Sequence, residues 1–574
     1  MKNKRTVQKT WKACLMGIIA CVLLGGCSNV GALTDKQAAM NEVSVLNKEN
    51  AVSSAGVVSE VDQVDIENTE KVSETDSSAT YTRNNEKADT DTKAESTRVS
   101  TKSPATAQSP MIYIEIQSYP VYRENVRTEP MLMYIQYPVI EDYSENSGTT
   151  LNRIYESVNQ KCKEEADRYR ADYESLARDE YNHKTDWEDD AYFYSSTGYL
   201  RRMDESVFSM VEYISSYAHG AHPSFYYNTH NYNAKTGKEI TLDDLVSDKE
   251  ALYNALKKAL AEKMGASILY DELVLTALHD SLYDASYDGS NFSIEKDGVS
   301  FWFGSYDLNG FAAGNQMVTI PFKSNEGLFN NEYASDEEDF VKMLLPDVTY
   351  ELSSGHTLRL SMEYQRPQFP EDYERDTHIE SEIVYNKSIK VFSYVDALKI
   401  YLVHKNGNDY LYCHPRCSND DELFIYSLNG DRLEELVSKE MVYPEYDMTD
   451  TKNILMYTRI DALSSMWPAK RFYIGEDGMP VSDEPYYYLY DHALTLIQNM
   501  KVEVATNEET DKYSEEVLPA GTVMRFFRTN AKDFMDMKLQ DGRIVRLRFD
   551  IRNYEFRFNG INENELFEGM NYCD

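Results

Sequence analysis

Between Ser28 and Pro110 the chain holds one aromatic residue, Tyr81; beyond Pro110 aromatics return in alternating runs. That break decides where a core can form. The 83 residues of the first stretch are mostly Ser, Thr, Asn, Glu, Asp, Lys and Ala, and they bury too little apolar surface to offset the entropy of folding. Residues 27–110 therefore read as a disordered tether, roughly 50 Å from end to end as a random coil. Folding is left to residues 111–574.

Ahead of the tether comes a basic segment with Lys2, Lys4, Arg5, Lys9 and Lys12, then an apolar stretch from Ala13 to Gly26. It is too short to span a bilayer comfortably and has the layout of an export signal. Its end, Leu24-Gly25-Gly26-Cys27, resembles the bacterial lipobox, whose cysteine is diacylated and becomes the new N-terminus. An ordinary secretory signal and an uncleaved anchor are the competing readings. Two acyl chains hold a protein stably on a membrane where one does not. The expectation is a signal peptide over 1–26, lipidation at Cys27, and a lipid-anchored protein on the extracytoplasmic face of the cell membrane.

The formal net charge is -39, and loss of residues 1–26, with five basic and no acidic side chains, takes it to -44. Nucleic acid and anionic lipid are then poor partners, while cationic proteins, peptides and metal ions are drawn in. The plainer reading is that surplus carboxylates keep a surface protein soluble. After processing, Cys162, Cys413, Cys417 and Cys573 remain beside Cys27. Four thiols allow three disulfide pairings, and the sequence selects none.

Ile112–Ile116 and Met131–Tyr137 read as strands, followed by a helix from about Leu151 to Tyr181. Its stripe is Leu151, Ile154, Val158, Cys162, Ala166, Tyr169, Tyr173 and Leu176, at steps of three and four. Two strands follow over 191–218 and another over 224–233. Ser247 with Glu250 reads as a capping box opening a helix that aligns Leu252, Leu256, Leu260 and Met264. A further helix from Asp271 to about Leu282 and strands at Val299–Tyr306 and Gln316–Phe322 complete the pattern. Residues 111–330 are thus expected to be an α+β domain, an antiparallel sheet with helices on one face. Helix signals then largely stop. Short strands at Thr357–Met362, Lys390–Ser393, Lys399–Val403, Leu423–Leu428, Ile454–Thr458 and Lys470–Ile474 predict a β-rich domain over 346–492. A small β domain over 493–574, with a compact SH3-like barrel as its fold, is expected to end the chain.

The stretch "YISSYAHGAHPSFYYNTHNYNAKTGKEITLDDLV" resembles the domain of unknown function 3298 through Gly220, Ala221, His222 and Pro223 and through Thr236 to Leu245. The run "FGSYDLNGFAAGNQMVTIPF", residues 303–322, is similar to that family's closing hairpin. Upstream, "IQYPVI" and "LNRIYESVN" are similar to the companion domain of unknown function 4163. Together the resemblance spans about residues 112–325, and the half after 346 lies outside it. It implies a relative of RsiV-type extracellular domains, some of which bind lysozyme, or of accessory modules on peptidoglycan deacetylases. No sigma-binding segment precedes the apolar stretch and no deacetylase domain is apparent. The family-motif residues carried over, as structural or ligand-binding positions, are Gly220, His222, Pro223, Thr236, Gly237, Asp244, Tyr306 and Gly314.

His219, His222 and His230 crowd into twelve positions. In a strand, side chains three apart point to opposite faces, so one metal ion holding His219 and His222 requires a bend at Gly220. These three are weak metal candidates and the expectation is no metal; the resemblance has His222-Pro223 shaping a turn. "CHPRC" offers Cys413, His414 and Cys417, half a zinc site with no second cluster nearby, and reads instead as a disulfide involving Cys413 or Cys417. The run Asp186-Trp187-Glu188-Asp189-Asp190 lacks the glycine turn and distal glutamate of a calcium loop. Serine-hydrolase, zinc-protease, phosphate-loop and dinucleotide motifs are missing, whereas a carboxylate pair could hide among 97 acidic residues. No cofactor is expected. The leading reading is a non-enzymatic surface binder of an extracellular protein or cell-wall ligand. A peptidoglycan-acting hydrolase or deacetylase and a structural component of a surface assembly stay open.

Overall fold

The computed structural model describes residues 111–123, 131–143, 149–183, 191–283, 291–308, 314–365, 378–395, 397–416, 422–436, 442–508, 512–552 and 555–572. Cys27, the acidic run 186–190, Cys417 and Cys573 lie outside the described residues. An α+β portion leads into a mostly-β remainder, as the sequence pattern predicts.

Strands β1 (Ile112–Tyr122), β2 (Met131–Asp142), β3 (Tyr192–Met203), β4 (Val207–Tyr217) and β5 (Ser224–Asn233) form a five-stranded sheet in that order. All neighbours are antiparallel except β2 and β3, which run parallel. The exception follows from helix α1 (Thr150–His183), which carries the chain across between them. Helix α1 buries Ile154, Tyr155, Val158, Cys162, Ala166, Tyr169 and Ala177 along one stripe. Its wet face is laced by Lys163–Asp167, Arg170–Glu174 and Glu174–Arg178 pairs at helical spacing. The stripe packs against Ile140, Tyr194, Met210, Ile214 and Tyr232 of the sheet.

Residues of the opposite parity, Tyr199, Val211, Tyr213 and Tyr227, turn to the other face, where they meet Trp302. Trp302 belongs to β7 (Gly298–Phe303), the middle strand of a second antiparallel sheet between β6 (Phe292–Ile294) and β8 (Gln316–Pro321). Asn231 Nδ2 donates to the Phe292 carbonyl at 2.6 Å, and Ile294 N donates to Ser209 Oγ at 3.0 Å. Helices α2 (Leu242–Leu245), α3 (Lys249–Met264) and α4 (Glu272–Tyr283) share a core with this small sheet through Leu252, Leu256, Leu260, Val274, Leu278 and Leu282. The cap of α3 is Asp248, whose carboxylate accepts from Ala251 N at 3.0 Å. Ser247, the expected cap, instead donates its hydroxyl to the Gly327 carbonyl at 2.9 Å.

Strands β9 (Phe340–Met343), β10 (Thr349–Glu351), β11 (Thr357–Gln365), β12 (His378–Tyr385), β13 (Ser388–Val395), β14 (Ala397–Lys405), β15 (Asn408–Arg416), β16 (Phe424–Ser427) and β17 (Glu434–Leu436) build two more sheets. One is ordered β10-β11-β12-β13 and the other β17-β16-β15-β14-β9. Leu358, Leu360, Ile383 and Tyr385 of the first share a core with Ile400, Leu402, Leu411 and Cys413 of the second, and that core runs on to Tyr227 and Trp302. Fourteen shorter strands between Tyr443 and Glu568 make a last sheet. Its own core centres on Met524, Met537, Val545 and Phe558.

Candidate functional site

The chain between β4 and β5 turns at His219 and Gly220, both at positive φ (61° and 125°). A Cβ on Gly220 would meet nothing within 4 Å, so backbone conformation and not crowding calls for glycine there. The turn sends the two histidines apart. His219 lies between the rings of Tyr217 and Tyr192, at centroid distances of 5.4 and 4.6 Å, with Nδ1 3.6 Å from the Glu180 carboxylate of α1. His222 stacks on Tyr306, and its Nε2 is 2.7 Å from the Tyr306 hydroxyl. Its Nδ1 is 3.0 Å from the Pro223 carbonyl. A carbonyl only accepts, so Nδ1 donates to Pro223, and in the neutral ring Nε2 then accepts from the Tyr306 hydroxyl. Tyr306 is 58 % exposed. The two make a solvent-facing aromatic plate beside the hairpin.

Thr236, Gly237 and Asp244 follow the far end of β5, about 30 Å along the strand. Asn233 Oδ1 accepts from Lys235 N and Thr236 N at 3.1 and 3.0 Å, and Gly237 N donates to the Asn233 carbonyl at 2.8 Å. Gly237 has φ 74°, and a Cβ there would sit 3.1 Å from the Thr150 methyl at the start of α1. Thr236 Oγ1 accepts from Lys238 N at 3.3 Å. Thr241 and Asp244 form a capping box on α2, and Asp244 also takes Lys238 Nζ at 2.7 Å. The hydrogen bond from Lys238, then those from Thr241, hold the Asp244 carboxyl below its ordinary range. Gly314, at φ 65°, sits just ahead of β8. Gly220, His222 and Pro223 thus mark one turn, and Thr236 and Gly237 another. Replacing Asp244 by alanine is expected to cost about 1 kcal/mol through loss of the capping box, read as a lower urea midpoint of the full chain. No change in midpoint would show that the box is dispensable.

His230 belongs to neither turn. On β5 it faces α1, with Nε2 2.5 Å from Glu212 Oε1 of β4 and 3.9 Å from Cys162 Sγ of the helix. Ser196 of β3 donates to Glu212 Oε2 at 2.6 Å. Cys162, Glu212 and His230 are all buried, and their donor atoms lie within 4.8 Å of one another. Burial pushes the Cys162 thiol up. Burial alone would also raise Glu212, but the hydrogen bonds from His230 and Ser196 bring it below its usual value. The sequence alone does not assemble this cluster: there Cys162 reads as a stripe residue and one of four thiols open to pairing, and His230 as a weak metal candidate. The signal available was Glu212, a charged residue inside the largely apolar run Val207-Phe208-Ser209-Met210-Val211-Glu212-Tyr213-Ile214.

In the β-rich part, Cys413 is a fully buried thiol with no disulfide partner among the described residues. Alternation along β15 turns its neighbour His414 to the opposite face, against Tyr443. Ser353, His404 and Asp409 are the residue types of a hydrolytic triad, but the carboxylate stands in the middle. Ser353 Oγ donates to Asp409 Oδ2 at 2.5 Å and His404 Nδ1 is 2.6 Å from Oδ1. The hydroxyl therefore gives its hydrogen bond to the carboxylate, and the imidazole sits on the other carboxylate oxygen rather than on the hydroxyl as a triad requires. Other buried acids are held by cations: Glu295 by Arg201 and Lys342, Asp447 by Lys399, and Asp536 by Arg528 and Arg546. Among the described residues no helix is long and apolar enough to cross a membrane.

What these features define is an α+β fold continued by β-sheets, with its motif histidines in turns. No protein-family model matches the chain, and no curated protein matches it. Two solved structures are similar to part of it, both of the domain of unknown function 3298 family whose motifs the sequence resembles. One, from Bacteroides fragilis, is 17 % identical with a TM-score of 0.29, covering 39 % of this chain and 95 % of that one. The other, from Pseudomonas aeruginosa, is 13 % identical with a TM-score of 0.28, covering 40 % of this chain and 99 % of that one. Likeness at this level says nothing of what the chain binds.

Proposed function

We propose that the protein is a lipoprotein tethered through Cys27, whose α+β portion binds a cationic extracellular protein, such as a lysozyme, without catalysing a reaction. One observation carries the reading. Among the described residues six basic and six acidic side chains are buried: Arg201, Arg202, Lys296, Lys342, Lys470 and Arg528 against Glu212, Glu295, Asp409, Asp447, Asp536 and Glu563. Among those residues burial removes no net charge, so their acidic excess stays outside the buried set. A surface of that sign steers basic partners and weakens its grip as salt screens it. The exposed Tyr306–His222 plate adds an amphipathic contact of the kind protein interfaces favour.

The full chain in detergent should capture hen egg-white lysozyme at low ionic strength and release most of it at about 0.5 M salt, where the screening length is only a few ångströms. Failure to bind at low salt, or binding indifferent to salt, counts against the proposal. Incubation with peptidoglycan, with and without chelator, should release no fragments or acetate; release would favour a hydrolase or deacetylase.

A further inference from the structure

The buried carboxylates differ in what balances them. Glu295, Asp447 and Asp536 each face lysine or arginine. Asp409 and Glu563 rest on a histidine with a serine and on a backbone amide, with no thiol in either group. Glu212 is held by Ser196 and His230, and the Cys162 thiol lies against the same imidazole nitrogen. A further group completes the surroundings. Tyr194, fully buried on the face of β3 that carries Ser196, turns its hydroxyl toward that serine and lies within electrostatic reach of Glu212 and Cys162.

We propose that Cys162, Glu212 and His230 bind one divalent metal ion of the zinc class, with the Tyr194 hydroxyl at the fourth position. Thiolate, imidazole and carboxylate are the donors zinc takes, commonly in a tetrahedron. Calcium and magnesium prefer all-oxygen sets, so a thiol and an imidazole argue against them. Charge balance favours the same choice: a dication with one thiolate and one carboxylate is neutral, which suits a site closed to water. Loading releases the thiol proton to solvent, and the proton shared by His230 Nε2 and Glu212 leaves for Nδ1 or solvent so that Nε2 can ligate.

The geometry lies close to what an ion needs. Bond lengths of zinc to sulfur and nitrogen place tetrahedral donors roughly 3.3–3.5 Å apart. The observed separations straddle that range, 3.9 Å between Cys162 and His230 and 2.5 Å between His230 and Glu212. Entry of the ion requires the Glu212–His230 contact to open by about 0.8 Å, a side-chain adjustment, to reach that spacing. The ligands come from α1, β4 and β5, so the ion would pin the helix to the sheet, and loading is best achieved during folding.

The test uses the full chain in detergent, reduced and refolded with zinc or cobalt, then desalted. Elemental analysis should give one metal per chain, and the cobalt form should show a thiolate-to-metal charge-transfer band. Cys162→Ser and His230→Gln should each weaken retention by about 100-fold or more, since even outer partners of metal ligands cost 10–100-fold. Cys413→Ser, at the other buried thiol among the described residues, should retain metal fully. Metal content near zero in the wild type, or a cobalt spectrum without the thiolate band, overturns the site with no variant needed. Equal retention by Cys162→Ser and Cys413→Ser also overturns it, pointing to adventitious binding by surface carboxylates. None of these outcomes depends on whether lysozyme is captured.

Discussion

Replacing Arg201 by methionine is expected to destabilise the chain by roughly 3–5 kcal/mol, the cost of leaving a buried charge without its partner. Arg201 Nε and Nη2 donate to Glu295 Oε1 at 2.8 and 2.5 Å, and Nη1 donates to the Met343 carbonyl. Lys342 Nζ takes Glu295 Oε2 at 2.8 Å and Asp297 Oδ2 at 2.7 Å. Arg201 and Glu295 are wholly inside, and the three groups come from β3, the β6–β7 turn and β9. The network therefore fastens the α+β portion to the first strand of the β-rich part. Burial would raise the Glu295 carboxyl, but Arg201 and Lys342 lower it to about 2. Its stabilising contribution is thus complete above its ordinary 4.5 and is lost as pH falls from there toward about 2. Trp302, 5.2 Å from the Arg201 guanidinium, gives a local fluorescence signal for urea unfolding. Removing Arg201, Glu295 and Lys342 together in favour of Met, Leu and Met should cost far less than Arg201→Met alone, because apolar replacement of a whole buried set is often neutral. A loss under about 1 kcal/mol in the single variant would mean that water already reaches Glu295.

Local pattern made part of this architecture readable. The stripe from Leu151 to Tyr173 needs only helical periodicity, and it returns as the buried face of α1. It fails at Leu176, which is 54 % exposed while Ala177 is buried. Strand β15 was obscured by Pro415 and by the Cys and His that drew attention as ligands. Strands of two residues, such as Tyr443–Pro444 and Tyr487–Tyr488, fall below any periodic signal. The Cys162–Glu212–His230 group needs a strand register and a helix docking angle to assemble, with 50 and 18 residues separating its members. The three histidines of the GAHP region show the same limit. Their crowding was plain, but one left-handed turn at His219–Gly220 and the pleat of β5 distribute them to three unrelated surroundings.

Stability should also fall steeply in mild acid because of His414. Its ring is 3 % exposed, stacked on Tyr443 at 5.9 Å, with Nε2 lacking a hydrogen-bond partner among the described residues. Burial first, and then the positive charges of Arg416 and Lys399, push its pKa from 6.5 down to about 3. Lys399 lies directly across the strand pair from it. The folded state keeps the ring neutral while the unfolded chain takes up a proton below 6.5, so the unfolded state binds more protons and stability rises with pH. The contribution is therefore whole above about 6.5 and declines by about 1.4 kcal/mol per pH unit until about 3. Between pH 6.5 and 4.5 the expected loss is roughly 3 kcal/mol. His414→Phe keeps an aromatic ring on Tyr443 and removes the titration. The difference in unfolding free energy between wild type and this variant should shrink or reverse steadily as pH falls through that window, well above the range in which Glu295 is protonated. A difference that stays constant within about 0.5 kcal/mol from pH 6.5 to 4.5 would show that His414 finds a route to charge without leaving its pocket.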